Sequence, residues 1–82
     1  MRLYCRLVEL THRAAVFEAS FRYERGWGGV EGKTHPEEGR VFASTDHEIL
    51  ETISSMGWQV GNTLVVEADR KGQVKSVKAT SC

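Results

Sequence analysis

Residues 45–57 constrain this chain most, because they spell a complete short helix between two runs that read as β-strands. Thr45 is a good cap residue and Glu48 follows three positions later, so Thr45-Asp46-His47-Glu48 has the form of a capping box, with Asp46 and Glu48 at the positive helix end. Gly57 supplies the stop. Ile49, Leu50, Ile53 and Met56 recur at the spacing of one apolar helical face. A helix of three turns has little stability of its own, so that face must lie on something. The strand-like runs on either side make that something a β-sheet.

Residues 2–10 have strand composition, with Leu3, Cys5 and Leu7 on one face and Tyr4, Val8 and Leu10 on the other. Residues 11–13 form a short reversal into the cleanest alternation of the chain. There Ala15, Phe17, Ala19, Phe21 and Tyr23 point inward, and Val16, Glu18, Ser20, Arg22 and Glu24 outward. A strand of about eleven residues is long, and strands of that length bend or coil around a core, as in small barrels. Gly and Pro punctuate residues 26–39, which read as one long loop. A third strand is expected at 40–43 and a fourth at 63–68. A type I turn closed by a left-handed Gly follows at 69–72, then a fifth strand at 73–79.

The resulting order, β-β-β-α-β-β, describes a mainly β fold with one helix. It is the element order of an OB-like small barrel, with the helix between strands three and four closing one end. An open antiparallel α+β sheet with one helix packed on one face has the same order, and both architectures stand. Residues 60–68 resemble the penultimate strand of OB and cold-shock domains, a likeness that spans less than a quarter of the chain. Cold-shock proteins carry two aromatic nucleic-acid-binding motifs on adjacent strands. Here Phe21-Arg22-Tyr23 falls on one strand and has no second match, so no family follows from the likeness.

Eighty-two residues suffice for one domain, residues 1–82, with a single modest core. The apolar runs are short and no basic start precedes one, so neither a signal peptide nor a membrane span is expected, and the location expected is cytoplasmic. Cys5 inside a strand and Cys82 at the last position make a poor disulfide framework, which predicts free thiols. Lys and Arg total 11 and Asp and Glu total 11, a balance unlike the basic excess of proteins that grip phosphates. The charge is unevenly spread. Residues 31–51 set Lys33 and Arg40 against six acids, whereas from 69 to 82 Arg70, Lys71, Lys75 and Lys78 face only Asp69.

Residues 27–34 end in Gly32-Lys33-Thr34 and resemble a Walker A loop, whose backbone N–H groups and Lys wrap phosphates; residues 64–69 add an apolar strand with a terminal acid. Context removes the resemblance. The first Gly of the motif falls on Trp27, and Pro36 and Gly39 occupy the place where a helix must start. His12, His35 and His47 lack the paired short spacing of zinc ligands and read as loop residues, so no metal and no cofactor are expected. No Ser or Cys stands in a nucleophile context, and an enzyme is not expected.

Trp27 stands out, a large aromatic among Gly26, Gly28 and Gly29, with Arg22 and Arg25 just before it. Two readings of Trp27 stand: it folds back as a lid on the barrel or sheet end, since a domain this small needs every large apolar group, or it anchors an interface, as Trp and Arg most often do. Trp58, directly after the helix stop, is assigned to the core. The function expected first is a small non-enzymatic protein-binding module, an inhibitor or accessory or regulatory subunit, binding a protein partner through Arg22, Arg25, Trp27 and Lys33 or through an open strand edge. A homodimer through such an edge is a variant of this expectation. The alternative is an OB-type single-stranded nucleic-acid-binding protein, in which Arg22, Arg25, Arg70, Lys71 and Lys75 track phosphates while Tyr23 or Trp27 stacks bases.

Overall fold

The computed structural model describes residues 1–25, 31–34 and 38–80, with the backbone alone described for 21–25 and 31–34. In chain order the elements are β1 (Arg2–Leu10), β2 (Ala15–Arg25), β3 (Glu31–Thr34), β4 (Val41–Ser44), α1 (His47–Met56), β5 (Thr63–Ala68) and β6 (Val74–Lys78). All strand pairs are antiparallel. The fold is mainly β with one helix in the expected order, with one strand more than the sequence suggests.

β1 is the centre of the sheet, and its alternation explains why. Leu3, Cys5 and Leu7 are fully buried while Arg2, Arg6 and Glu9 are exposed. Residues opposite one another on paired strands share a face, and Cys5 stands opposite Ala19 on β2 and Leu64 on β5. Leu7 stands opposite Phe17. One apolar layer therefore crosses three strands, and burying a side chain the size of Phe17 within it contributes about 2–3 kcal/mol.

The β1–β2 ladder slips between Tyr4 and Cys5, and again between Leu7 and Glu9. At the first slip Phe21 faces Tyr4 and Ala19 faces Cys5, leaving Ser20 as the extra residue of a β-bulge. This corrects the expected single alternation of β2. The row of Ala15, Phe17 and Ala19 ends at the bulge, and beyond it Arg22 takes the register position opposite Leu3. The second slip makes Val8 the extra residue on β1. Each bulge adds local twist, and this is how so long a strand bends around the core.

The expected loop at 26–39 is corrected as well. Residues 31–34 form β3, paired with β2 from Arg22 opposite Thr34 to Arg25 opposite Glu31. Strand propensity of the segment itself gave no sign of this, since β2 supplies the pairing edge. One edge of β2 is taken by β1, so β3 and β4 share its other edge, β4 along 15–18 and β3 along 22–25. The path is then β4-β2-β1-β5-β6, and a closed barrel requires β4 to pair with β6. Among the described residues no such ladder exists, although β4 and β6 approach each other. The sheet is a curled half-barrel, which selects the open sheet over the closed OB-like barrel. The helix that leaves β4 contacts β6.

The apolar face of α1 is what fills that side. Ile49 and Ile53 are buried in the core, Leu50 is half-buried against it, and Met56 is exposed, so the buried stripe is narrower than the sequence spacing implies. The cap also differs from expectation. Asp46 is the N-cap, its Oδ1 accepting from the backbone N–H of Glu48 at 2.8 Å and of Ile49 at 3.4 Å, while its own N–H donates to Ser44 Oγ at 3.2 Å. Thr45 lies outside the helix. Asp ranks above Thr as a cap, and the bond from its N–H to Ser44 at the buried end of β4 supports the choice between the two adjacent candidates.

The turn at 69–72 forms as its sequence requires. Gly72 has φ of 89°, and Asp69 Oδ1 accepts from the N–H groups of Lys71 and Gln73, each at 2.9 Å. Among the described residues no helix is long and apolar enough to cross a membrane.

Candidate functional site

An open groove of about 670 Å³ lies between α1 and the β1–β2 turn. Its first wall is the helix. Asp46 sets the helix start, and burial of Ile49 and Ile53 fixes the rotation, so that His47, Leu50, Glu51 and Ser54 form the neighbouring stripe that lines the groove. Its second wall is the turn carrying Thr11 and His12. Thr11 Oγ1 accepts from the N–H groups of Arg13 at 3.2 Å and Ala14 at 3.0 Å, and Thr11 N–H donates to the Ala14 carbonyl at 2.9 Å. These local bonds close the turn and leave His12 exposed.

The floor comes from the helix stop. Gly57 adopts φ of 72°, its N–H donates to the Ser54 carbonyl at 3.1 Å, and the Trp58 N–H donates to the Ile53 carbonyl at 3.2 Å. This is the Schellman pattern, which turns the residue after the glycine back onto the helix. Trp58 is thereby half-buried, packed on the core and lining the groove together with Leu10 and Leu50. The expectation of a core Trp58 holds in part, since one side of it meets the groove. Gln59 is held at the mouth by a donation from its N–H to Asn62 Oδ1 at 2.8 Å.

The groove carries little reactive chemistry. His47 Nε2 lies 3.8 Å from Glu51 Oε2, with both side chains largely exposed, a solvated contact of small value. His47 and Ser54 are seven residues apart, about 10 Å along the helix axis, beyond hydrogen-bond reach. Among the described residues no group of three or more His, Cys, Asp or Glu can hold a metal ion. Cys5 is fully buried in the core, and burial pushes its thiol up to about 12, which leaves it un-ionised and unreactive near neutral pH. Lys33 and Thr34 lie in β3, an antiparallel strand, so no helix begins at the Lys of the Walker-like segment.

Trp27 lies outside the described residues. Arg22 and Arg25 occupy the end of β2, and Lys33 on β3 stands opposite Tyr23. Arg2 pairs with Tyr23 on one side and with Glu67 on the other, so the end of β2 and the end of β5 coincide. The β5–β6 turn, where Arg70 and Lys71 are exposed, leaves from that same end. The topology thus gathers the backbone positions of Arg22, Arg25, Lys33, Arg70 and Lys71 at one end of the sheet. Carboxylates accompany them: Arg2 lies 3.8 Å from Glu67, and Lys75 lies 3.9 Å from Asp69. The backbone N–H groups of Gln73 and Lys71, and the charge of Lys75, hold the Asp69 carboxyl below its ordinary range. Farther along β1, Arg6 lies 3.5 Å from Glu18.

The groove is at the opposite end, and sequence reasoning did not find it. The available signal was Trp58 immediately after Gly57, since a large apolar residue in that place closes a Schellman turn against the helix. Comparison of the chain with protein-family models, with curated proteins and with solved structures found no match.

Proposed function

We propose that this domain is a non-enzymatic protein-binding module, of the inhibitor or accessory-subunit kind, and that it holds its protein partner in the groove between α1 and the β1–β2 turn. The supporting observation is Trp58, delivered to the groove floor beside Leu10 and Leu50 under a polar rim of His12, His47, Glu51 and Gln59. An apolar, aromatic centre within a polar border is the anatomy of a protein interface, and Trp is the residue type most often dominant in one. A free, buried Cys5 fits the reducing cytoplasm.

A second function, single-stranded nucleic-acid binding, draws support from the gathering of Arg22, Arg25, Lys33, Arg70 and Lys71 positions at the far end of the sheet. The carboxylates interspersed there and the neutral chain favour the protein partner.

Affinity capture from the source cell with the wild-type protein and with Ser54→Arg tests the proposal. Ser54 is exposed on the groove wall, and Arg is a good helix former, so the variant obstructs the groove without unfolding the helix. The expected outcome is a co-purifying protein retained by the wild type and lost by folded Ser54→Arg. Equal retention by both removes the groove. Capture that nuclease abolishes and Ser54→Arg leaves intact moves the function to the other end of the sheet.

A further inference from the structure

Resting on that role for the groove, we propose that the partner presents a basic side chain, an arginine above all, to Trp58 and Glu51, with apolar neighbours in its segment seated on Leu10 and Leu50. Three features of the groove converge on a cation. Among the described residues that line it none is Lys or Arg, and Glu51 supplies an exposed carboxylate on the helix wall. The helix end lies there too. Ser54 and Gly57 line the groove, no basic residue occupies the last turn, and α1 contains no Lys or Arg along its length, so no cation of the helix itself answers the negative end of its dipole. Trp58 is the third feature, because an indole face attracts a guanidinium or ammonium more strongly than any other side-chain ring does.

The competing groups are few. His47 lies 3.8 Å from Glu51, and Arg13 sits in the β1–β2 turn beside His12 without lining the groove. A guanidinium offers a planar fork to a carboxylate while stacking on an aromatic face, and an ammonium offers only a point charge, which puts arginine ahead of lysine. At about 670 Å³ the groove exceeds one side chain and suits a short stretch of polypeptide, whose flanking apolar residues find Leu10 and Leu50. The occupant is therefore a segment of another protein bearing an arginine between apolar residues.

The probe is a blocked hexapeptide with one arginine between two leucines, titrated into isotopically labelled protein while the amide and indole N–H signals are followed by NMR. A matched peptide carries citrulline, which keeps the shape and loses the charge. Saturable shifts are expected at Glu51, Ser54 and the Trp58 indole, with the citrulline peptide binding about tenfold more weakly. Glu51→Gln, at an exposed position that leaves the fold intact, should weaken the arginine peptide by a similar factor and leave the citrulline peptide unchanged. Equal binding of the two peptides in the groove overturns the cation proposal and leaves the groove as a docking site. No shift in the groove with either peptide overturns both. Concentration-dependent shifts of the same signals without peptide make a second copy of this chain the occupant and overturn the proposal of a foreign segment.

Discussion

Replacing Asp46 by Ala should cost the domain about 1–1.5 kcal/mol, and the same change at its neighbour Thr45 should cost almost nothing. Asp46 Oδ1 accepts one good hydrogen bond, 2.8 Å from Glu48 N, and one at the long limit, 3.4 Å from Ile49 N. The cap is exposed, so water competes for both donors, and an Ala substitution at such a position costs about 1 kcal/mol. A carboxylate at the positive helix end adds about 0.3–0.5 kcal/mol at moderate salt. Asp46→Asn separates the two contributions, because Asn keeps the hydrogen bonds and loses the charge. It should recover all but a few tenths of a kcal/mol. Urea and thermal unfolding followed by far-UV circular dichroism measure these differences, and 1 kcal/mol moves the midpoint of a domain this size by roughly 4–8 °C. If Thr45→Ala destabilises as much as Asp46→Ala, the helix starts one residue earlier than the hydrogen bonds indicate, and the assignment of Asp46 as the cap fails with it.

Gly57→Ala should lower the thermal midpoint by roughly 4–8 °C, the equivalent of about 1 kcal/mol. Nothing lies within 4 Å of the added methyl, so the cost comes from φ of 72° alone, and an unchanged midpoint would show that the Schellman turn is dispensable. In a Cys82→Ser background the Cys5 thiol should resist aromatic disulfide reagents until the chain unfolds, with fast reaction of native protein as the contrary result. Because burial raises the folded thiol from 9.0 to about 12, the unfolded chain ionises first as pH rises. Cys5 therefore contributes stability that is complete below pH 9 and lost between pH 9 and 12. A Cys5→Ala variant should lose stability less steeply than its parent across that window.

The elements legible in the sequence are those whose signals are local. β1, the start of β2, β5 and the turn at 69–72 follow from alternation and turn chemistry within a few residues, and the structure has them at the expected places. What the sequence hid depends on partners distant along the chain. The bulge at Ser20 exists because β1 must bring Tyr4 opposite Phe21 while keeping Cys5 opposite Ala19, and nothing in the alternation of β2 records that demand. β3 contains Gly32 and lacks strand propensity, but the free edge of β2 organises it. The choice between Thr45 and Asp46 as cap rested on Ser44, whose burial is a tertiary fact. The groove was hidden for the same reason, since Leu10, His12, Leu50 and Trp58 belong to segments up to 48 positions apart and meet only when α1 settles on the sheet.

The two candidate surfaces lie at opposite ends of β1, and the geometry of that strand makes them independently testable. Leu10 lines the groove, whereas Arg2 sits between the strand ends that gather Arg22, Arg25 and Lys33 positions and the turn of Arg70 and Lys71. Eight residue-to-residue steps of strand separate Leu10 from Arg2, about 26 Å at 3.3 Å per step. That distance is about three Debye lengths at physiological salt, so a charge introduced at one end is screened from the other. A Glu51 substitution that alters nucleic-acid affinity, or an Arg70 substitution that alters peptide affinity in the groove, must therefore act through structure and not through the field. The sheet between the ends is a close-packed layer with Leu3, Cys5 and Leu7 fully buried. Variants from the two ends are therefore expected to be additive, and coupling between them would mean that the ends are not separated by the length of β1 that the register describes.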